Sequence, residues 1–346
     1  MIQEHGGIIT AVSGFLDFSV NLNPLGMPES VRRAVTDNSG AWENYPDPLC
    51  TELAGKIAAA EGTSPQNIVC GNGADDVIYR AVHAFKPAKA VITAPTFGEY
   101  AKALRETDCT VREHILYEEN GFLPDEIFLD ELTPDMDMAF ICSPNNPTGQ
   151  ITPTAILEKA ARKCLDNGIM LICDECFLSF AENGGRFTAA QFMNENVIIL
   201  RSFTKLYCMA GLRLGYAVCG SAGAAERLRG SGQYWSVSAP AQAAGIAALD
   251  EKAYAAETVA LIGRERAFLA ERLNALGYRV FPSAVNYLLF KGAEGLDDRL
   301  FAEGIGIRNC ASYHGLGNGY YRAAVRTHEE NQRFIKALER ITNVKG

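Results

Sequence analysis

The stretch Val197-Ile198-Ile199-Leu200-Arg201-Ser202-Phe203-Thr204-Lys205 carries the reading of this chain. Its first four residues are apolar and mostly β-branched, the pattern of a buried strand. A lysine just beyond such a strand would lie near low-dielectric surroundings, where amines favour the neutral form. A neutral amine condenses with an aldehyde to a Schiff base. Eight residues on, Gly211-Leu212-Arg213-Leu214-Gly215 offers a guanidinium between glycine-permitted turns. With the hydroxyls of Ser202 and Thr204, it would suit a phosphate held beside the lysine. Together these suggest pyridoxal 5′-phosphate, an aldehyde that carries a phosphate. An isolated Ser-x-x-Lys is more often an ordinary surface lysine, so the reading depends on what the rest of the chain supplies.

A chain of 346 residues exceeds one ordinary core and predicts two lobes, or one large α/β domain with an appendage. With 48% hydrophobic and 21% charged residues it has the composition of a globular protein. No stretch approaches the ~18 apolar residues needed to span a bilayer. The opening Met1-Ile2-Gln3-Glu4-His5 lacks the basic and apolar regions of a signal peptide, so a cytoplasmic enzyme without a membrane partner is expected. A net charge of −9 without a basic cluster argues against nucleic acid. The ten cysteines are scattered, several in apolar runs, and predict reduced, buried thiols. Cys173-Asp174-Glu175-Cys176 matches C-x-x-C, but no second such pair accompanies it and no metal site is expected.

Apolar runs alternate with helix-patterned segments. Strands are predicted at 67–70, 90–93, 138–142, 170–173, 197–200 and 216–219, with helices such as 74–84, 100–106 and 153–167 between them. This alternation argues for an α/β fold with a mainly parallel sheet, whose ligands bind at the carboxyl ends of the strands. From about Ala239 one long alanine-rich helical region runs towards Leu276. A strand-like stretch at 278–290, a helix at 297–303, a strand at 306–308, a strand carrying Arg322 and Arg326, and a final helix at 329–341 follow. The expected division is an arm with little regular structure (1–45), a large cofactor-binding domain (46–240) and a smaller α+β domain (241–346).

Chemistry-bearing motifs fall just after the predicted strands. Gly71-Asn72-Gly73-Ala74-Asp75-Asp76 opens a helix, whose N-terminus attracts anions; position 76 is Asp, so this is no dinucleotide fingerprint. In Ser143-Pro144-Asn145-Asn146-Pro147-Thr148-Gly149 two adjacent amides are placed to grip a planar hydroxylated ring, although such residues also simply build turns. Asp174, ending a strand, is able to pair with a protonated ring nitrogen and so keep the ring an electron sink.

In this order, with Pro95-Thr96-Phe97, the motifs resemble those of fold-type I pyridoxal-phosphate enzymes of the aminotransferase class I/II superfamily. The resemblance implies a mainly parallel seven-stranded sheet between helices, a smaller C-terminal domain and an N-terminal arm. It implies that Lys205 bonds the cofactor, that Asp174 pairs with its ring nitrogen, that Asn146 holds the ring hydroxyl and that Phe97 stacks on the ring. Phosphate contacts would come from the Gly73-Ala74-Asp75 turn, Ser202, Thr204 and Arg213. Tyr45, in Tyr45-Pro46-Asp47, is similar to the tyrosine that reaches the partner subunit's phosphate, which implies a homodimer with shared sites. One departure is visible: Phe177 stands where many relatives have a tyrosine whose hydroxyl contacts the ring oxygen.

Within the superfamily the chain resembles both L-threonine O-3-phosphate decarboxylases of cobalamin biosynthesis and histidinol-phosphate aminotransferases. His5-Gly6-Gly7, the run Asp17–Gly26, Asp174-Glu175-Cys176-Phe177, Ile307-Arg308-Asn309-Cys310 and Tyr320–Arg326 favour the decarboxylase. By this resemblance Arg322 would bind the substrate carboxylate, Arg308 and His5 with Asn23 would hold the substrate phosphate, and Gly6 and Asn146 would also line the substrate site. A small phosphorylated amino acid or amine is thus the expected partner. Of Arg322 and Arg326, one is expected to form a structural ion pair. Tyr313 and His314 flank a glycine-rich loop, and no motif assigns them a role.

Overall fold

The computed structural model describes residues 6–7 and 14–343. Seven strands form the central sheet in the spatial order Ile68–Gly71, Gly215–Cys219, Val197–Ser202, Met170–Asp174, Met138–Cys142, Lys89–Ala94 and Thr110–Ile115. Five neighbouring strands pair in parallel, while Gly215–Cys219 runs antiparallel to both of its neighbours. The sheet is therefore mainly parallel, and its helices cover both faces as expected for near-continuous apolar strands.

Successive residues of each strand serve opposite cores. Val69, Ile92, Phe140, Ile172 and Ile198 pack with helix Ala74–Phe85. Ile68, Val91, Ala139, Leu171 and Val197 pack with helices Thr51–Glu61 and Thr154–Asn167. The pleat thus turns Asp174 to the face of Ile172 and sends Glu175 to the other side. There Glu175 is buried, accepts hydrogen bonds from Thr188 Oγ1 (2.8 Å) and Ala189 N (2.6 Å), and pairs with Arg201 at 3.0 Å. Burial pushes its carboxyl above the usual range, while Arg201 opposes that shift.

Four local expectations need correction. The arm is not irregular: Glu29–Thr36 is a helix that packs on Ala239–Ala248 and buries Val31. The alanine-rich region is two helices, Ala239–Ala248 and Lys252–Ala275, which part at Leu249–Glu251. The stretch 278–290 is broken into Arg279–Val280 and Tyr287–Lys291. Pro282 has no N–H to donate, and Ala284 N turns away to Gly149 O at 2.9 Å. The edge strand Thr110–Ile115 escaped prediction because it alternates polar and partly exposed residues instead of forming an apolar run.

Tyr320–Ala324 is the strand that carries Arg322, between Arg308–Asn309 and Tyr287–Lys291 in a four-stranded antiparallel sheet. Arg326 lies beyond its end and is the structural one: it binds Glu330 at 2.6 Å and Asp17 O at 3.1 Å. All ten cysteines are free, nine of them buried. Among the described residues no helix is long and apolar enough to cross a membrane.

Replacing Arg201 by Met leaves Glu175 buried without its cation, a change that costs about 3–5 kcal/mol. Denaturation of Arg201→Met should show this loss, and a variant as stable as the parent would refute the pairing.

Candidate active site

At the carboxyl ends of the parallel strands lies a cavity of about 250 Å3. It is lined by Ala74, Asp75, Phe97, Asn146, Asp174, Thr204, Lys205, Arg213, Arg322 and Gly6 from the expected set. Tyr100, Cys142, Cys176, Phe177, Ser19 and Tyr313 are among the other walls.

Asp174 is buried and held by two donors. Tyr100 Oη donates to Oδ2 at 2.5 Å, and Cys176 N donates to Oδ1 at 2.9 Å. Lys205 follows the strand end by three residues, and its Nζ stands 5.4 Å from the centre of the Phe177 ring. The two cysteines in the wall are poor nucleophiles: burial, then the Asp174 charge, raises the Cys142 thiol to about 12 and Cys176 well above its ordinary value. Lys205 is the lysine among the cavity walls.

At one end of the cavity, Gly73 (φ +87°) precedes helix Ala74–Phe85. A Cβ at Gly73 would stand 2.5 Å from Arg213 Nη2, so only glycine lets that guanidinium approach the helix N-terminus. A Cβ at Gly215 would stand 2.5 Å from Ala74 N, so the neighbouring strand likewise has to be bare there. Arg213, itself at φ +57°, reaches Asp75 Oδ2 at 3.3 Å. A helix N-terminus, an arginine and the Thr204 hydroxyl are groups able to hold an anion such as a phosphate. Gly73 and Ser202 stand behind this wall; Ser202 Oγ accepts from Thr204 N at 3.2 Å and so shapes the turn before Lys205.

The two adjacent asparagines part company. Asn145 ties loops together, donating to Pro95 O (2.9 Å) and Thr148 Oγ1 (3.0 Å) and accepting from Thr96. Asn146 faces the cavity, and its Oδ1 accepts from Arg322 Nη1. Arg322 Nη2 donates to Ser19 O at 2.7 Å, and its buried Nε has no hydrogen-bond partner among the described residues.

Arg308 and Arg322 are directly opposed across neighbouring antiparallel strands, each only 5% exposed. Arg308 opens on a second cavity of about 560 Å3, which shares the Phe97 and Tyr313 walls with the first. Its guanidinium lies 5.7 Å from the centre of the Tyr313 ring. Tyr313 therefore belongs to the site, whereas His314 lines the outer cavity alone and binds Glu113.

Two expected residues stand elsewhere, and a third is not among the described residues. Asn23 does not line the cavity: its amide donates to Leu206 O (2.8 Å) and Thr258 Oγ1 (2.7 Å), so it fastens the arm to the segment after Lys205. Tyr45 is 78% exposed and stacks on Trp235 at 4.2 Å, away from its own chain's cavity. His5 lies outside the described residues. Sequence reasoning missed Tyr100, whose only signal was its place three residues after Phe97, one helical turn along.

Comparison with known proteins agrees with this architecture. The sequence profile of the family described as Aminotransferase class I and II matches residues 13–338. The threonine-phosphate decarboxylase of Salmonella typhimurium is 38% identical over 330 residues, covering 94% of this chain and 91% of that protein. A histidinol-phosphate aminotransferase of Nitratidesulfovibrio vulgaris is 32% identical over 329 residues, covering 93% and 87%. The solved structure of the histidinol-phosphate aminotransferase from Clostridium acetobutylicum superposes with a TM-score of 0.89 at 27% identity, over 95% of this chain and 99% of that one. By profile, sequence and fold-type I architecture, the chain belongs to the aminotransferase class I and II family of enzymes.

Proposed function

We propose that this enzyme binds pyridoxal 5′-phosphate and decarboxylates L-threonine O-3-phosphate to 1-aminopropan-2-yl phosphate, for cobalamin biosynthesis in the cytoplasm. The carrying observation is the register Arg308↔Arg322. Two like charges directly opposed on adjacent strands repel, and both are buried here, so a substrate with two anionic groups relieves the repulsion. The adjoining cavities would suit those groups separately, a carboxylate at Arg322 and a phosphate at Arg308. The 38% identity to a threonine-phosphate decarboxylase points to the same substrate class.

The cavity fits the cofactor in each part. The backbone N–H groups of Ala74 and Asp75 at the start of helix Ala74–Phe85, with Arg213 and Thr204, would hold its phosphate, Asp174 its ring nitrogen, Asn146 its ring oxygen, Phe97 one face of its ring and Lys205 its aldehyde carbon. When bound, the cofactor supplies an electron sink for the pair left at Cα. With no hydroxyl on Phe177, Asn146 carries the contact to the ring oxygen. Arg322 would anchor the carboxylate through N–H groups that Asn146 and Ser19 leave over. Arg308, beside Tyr313, would hold the phosphate and so set the rotation about Cα. Held by these two arginines, the substrate would lose carbon dioxide with the bonding pair left at Cα, and Lys205 Nζ would supply the proton that replaces it. Were the substrate held with its Cα proton towards Lys205 instead, Lys205 would take that proton and the enzyme would transaminate.

The same proposal includes a homodimer, in which exposed Tyr45 reaches the phosphate of the partner's cofactor, and the division into arm, large and small domains at residues 45 and 240. Trp42, Tyr45, Leu49, Tyr234 and Trp235 are all exposed in the single chain, which an association would cover.

L-Threonine O-3-phosphate should release carbon dioxide without 2-oxoglutarate; consumption of 2-oxoglutarate with histidinol phosphate, and no carbon dioxide, would establish the aminotransferase instead. Borohydride should fix the cofactor onto Lys205, and Lys205→Ala should abolish both the adduct and turnover. Arg308→Gln should raise KM for the phosphorylated substrate about tenfold or more, as expected for a lost charged hydrogen bond, and leave cofactor affinity unchanged. Equal loss of cofactor would remove Arg308 from the substrate site.

A further inference from the structure

The Asp174 carboxylate has a donor on each oxygen, and the two donors differ in kind. Cys176 N is fixed by the backbone beside Asp174 itself. Tyr100 Oη arrives from another element, helix Glu99–Arg105. Tyr100 is fully buried and stacks on Phe140 with ring centres 4.9 Å apart. The same ring meets Phe97 edge to face at 5.6 Å. One side chain therefore touches both the carboxylate at the base of the cavity and the aromatic ring in its wall.

We infer that Tyr100 is a positioning residue for the cofactor ring, holding the Asp174 carboxylate through its hydroxyl and backing Phe97 with its own ring. The inference rests on the reading of the cavity as a pyridoxal-phosphate site. Rotation of a carboxylate about its terminal torsion is soft, so one donor leaves it free to swing. A second donor, from a residue that packing itself immobilises, fixes the plane in which the remaining lone pairs face the cavity. Burial, reinforced by the Asp174 charge, raises the Tyr100 hydroxyl well above its ordinary range, so it stays protonated and keeps donating. Stacking on Phe140 sets the height of the hydroxyl, and contact with Phe97 ties the ring-stacking wall to the same anchor. Tyr100 transfers no proton and touches no reacting atom. It acts through Asp174 and Phe97.

Tyr100→Phe keeps both ring contacts and removes only the hydroxyl. Measured by absorbance titration with pyridoxal phosphate, its affinity should fall about threefold to tenfold, the scale of part of a charged hydrogen bond. The pH midpoint of the bound cofactor's visible band should shift, and kcat should fall with KM for the substrate unchanged. Adding Tyr100→Phe to an Asp174→Asn background should alter affinity much less, because the coupled partner is gone. If Tyr100→Phe only melts earlier, with wild-type affinity and pH midpoint, the role is packing and the inference is overturned. A full penalty persisting in the Asp174→Asn background would overturn it too. If the wild-type protein takes up no pyridoxal phosphate, the cofactor reading falls and this inference with it.

Discussion

Everything at the site depends on the pleat of one strand. Met170–Asp174 ends at the first of two consecutive acidic residues, and the alternation of a strand sends them to opposite faces. Asp174 turns into the cavity, where Tyr100 and Cys176 N hold it. Glu175 turns into the other core and meets Arg201, Thr188 and Ala189 N. Two buried carboxylates at one strand end are tolerable because each has its own donors. A slip of one residue in register would exchange them and leave both unmatched.

The rest of the cavity is assembled from segments distant in sequence. The long crossovers of a parallel sheet bring successive strand ends to one edge. Gly71, Ala94, Cys142, Asp174 and Ser202 all end strands there, and the antiparallel strand begins there with Gly215. The small sheet then closes the site: Arg322 reaches Asn146 from the large sheet's loops and Ser19 from the arm. One guanidinium thus ties three parts of the chain, and substrate bound to it would feel the placement of all three. Asn23 gives the arm two further ties, to Leu206 O just past the lysine and to Thr258 in helix Lys252–Ala275.

Much of this was legible in sequence because it is local. Met138–Cys142 is wholly apolar and Val197–Ser202 is apolar over its buried first four residues, as strands covered on both faces have to be. The turn before Ala74 announced a helix by its glycines, and the helix starts there. Elements with mixed surroundings hid: the polar edge strand Thr110–Ile115, the arm helix Glu29–Thr36, and the break at Pro282 that follows from docking on Gly149.

What sequence alone determined is the chemistry on offer and its order: a lysine after a strand, a glycine turn, paired amides, an aspartate, two arginines. These are properties of residue type and short spacing. Which of two adjacent asparagines faces the cavity, whether Asn23 binds substrate or fastens the arm, which of Arg322 and Arg326 is structural, and that Tyr100 stands behind Asp174 were decided only in three dimensions. Each depends on which way a side chain points and on a partner distant in sequence, from 49 residues for Asn145–Thr96 to 309 for Arg326–Asp17. Spacing along the chain does not encode that distance; strand register and the packing of the two sheets do.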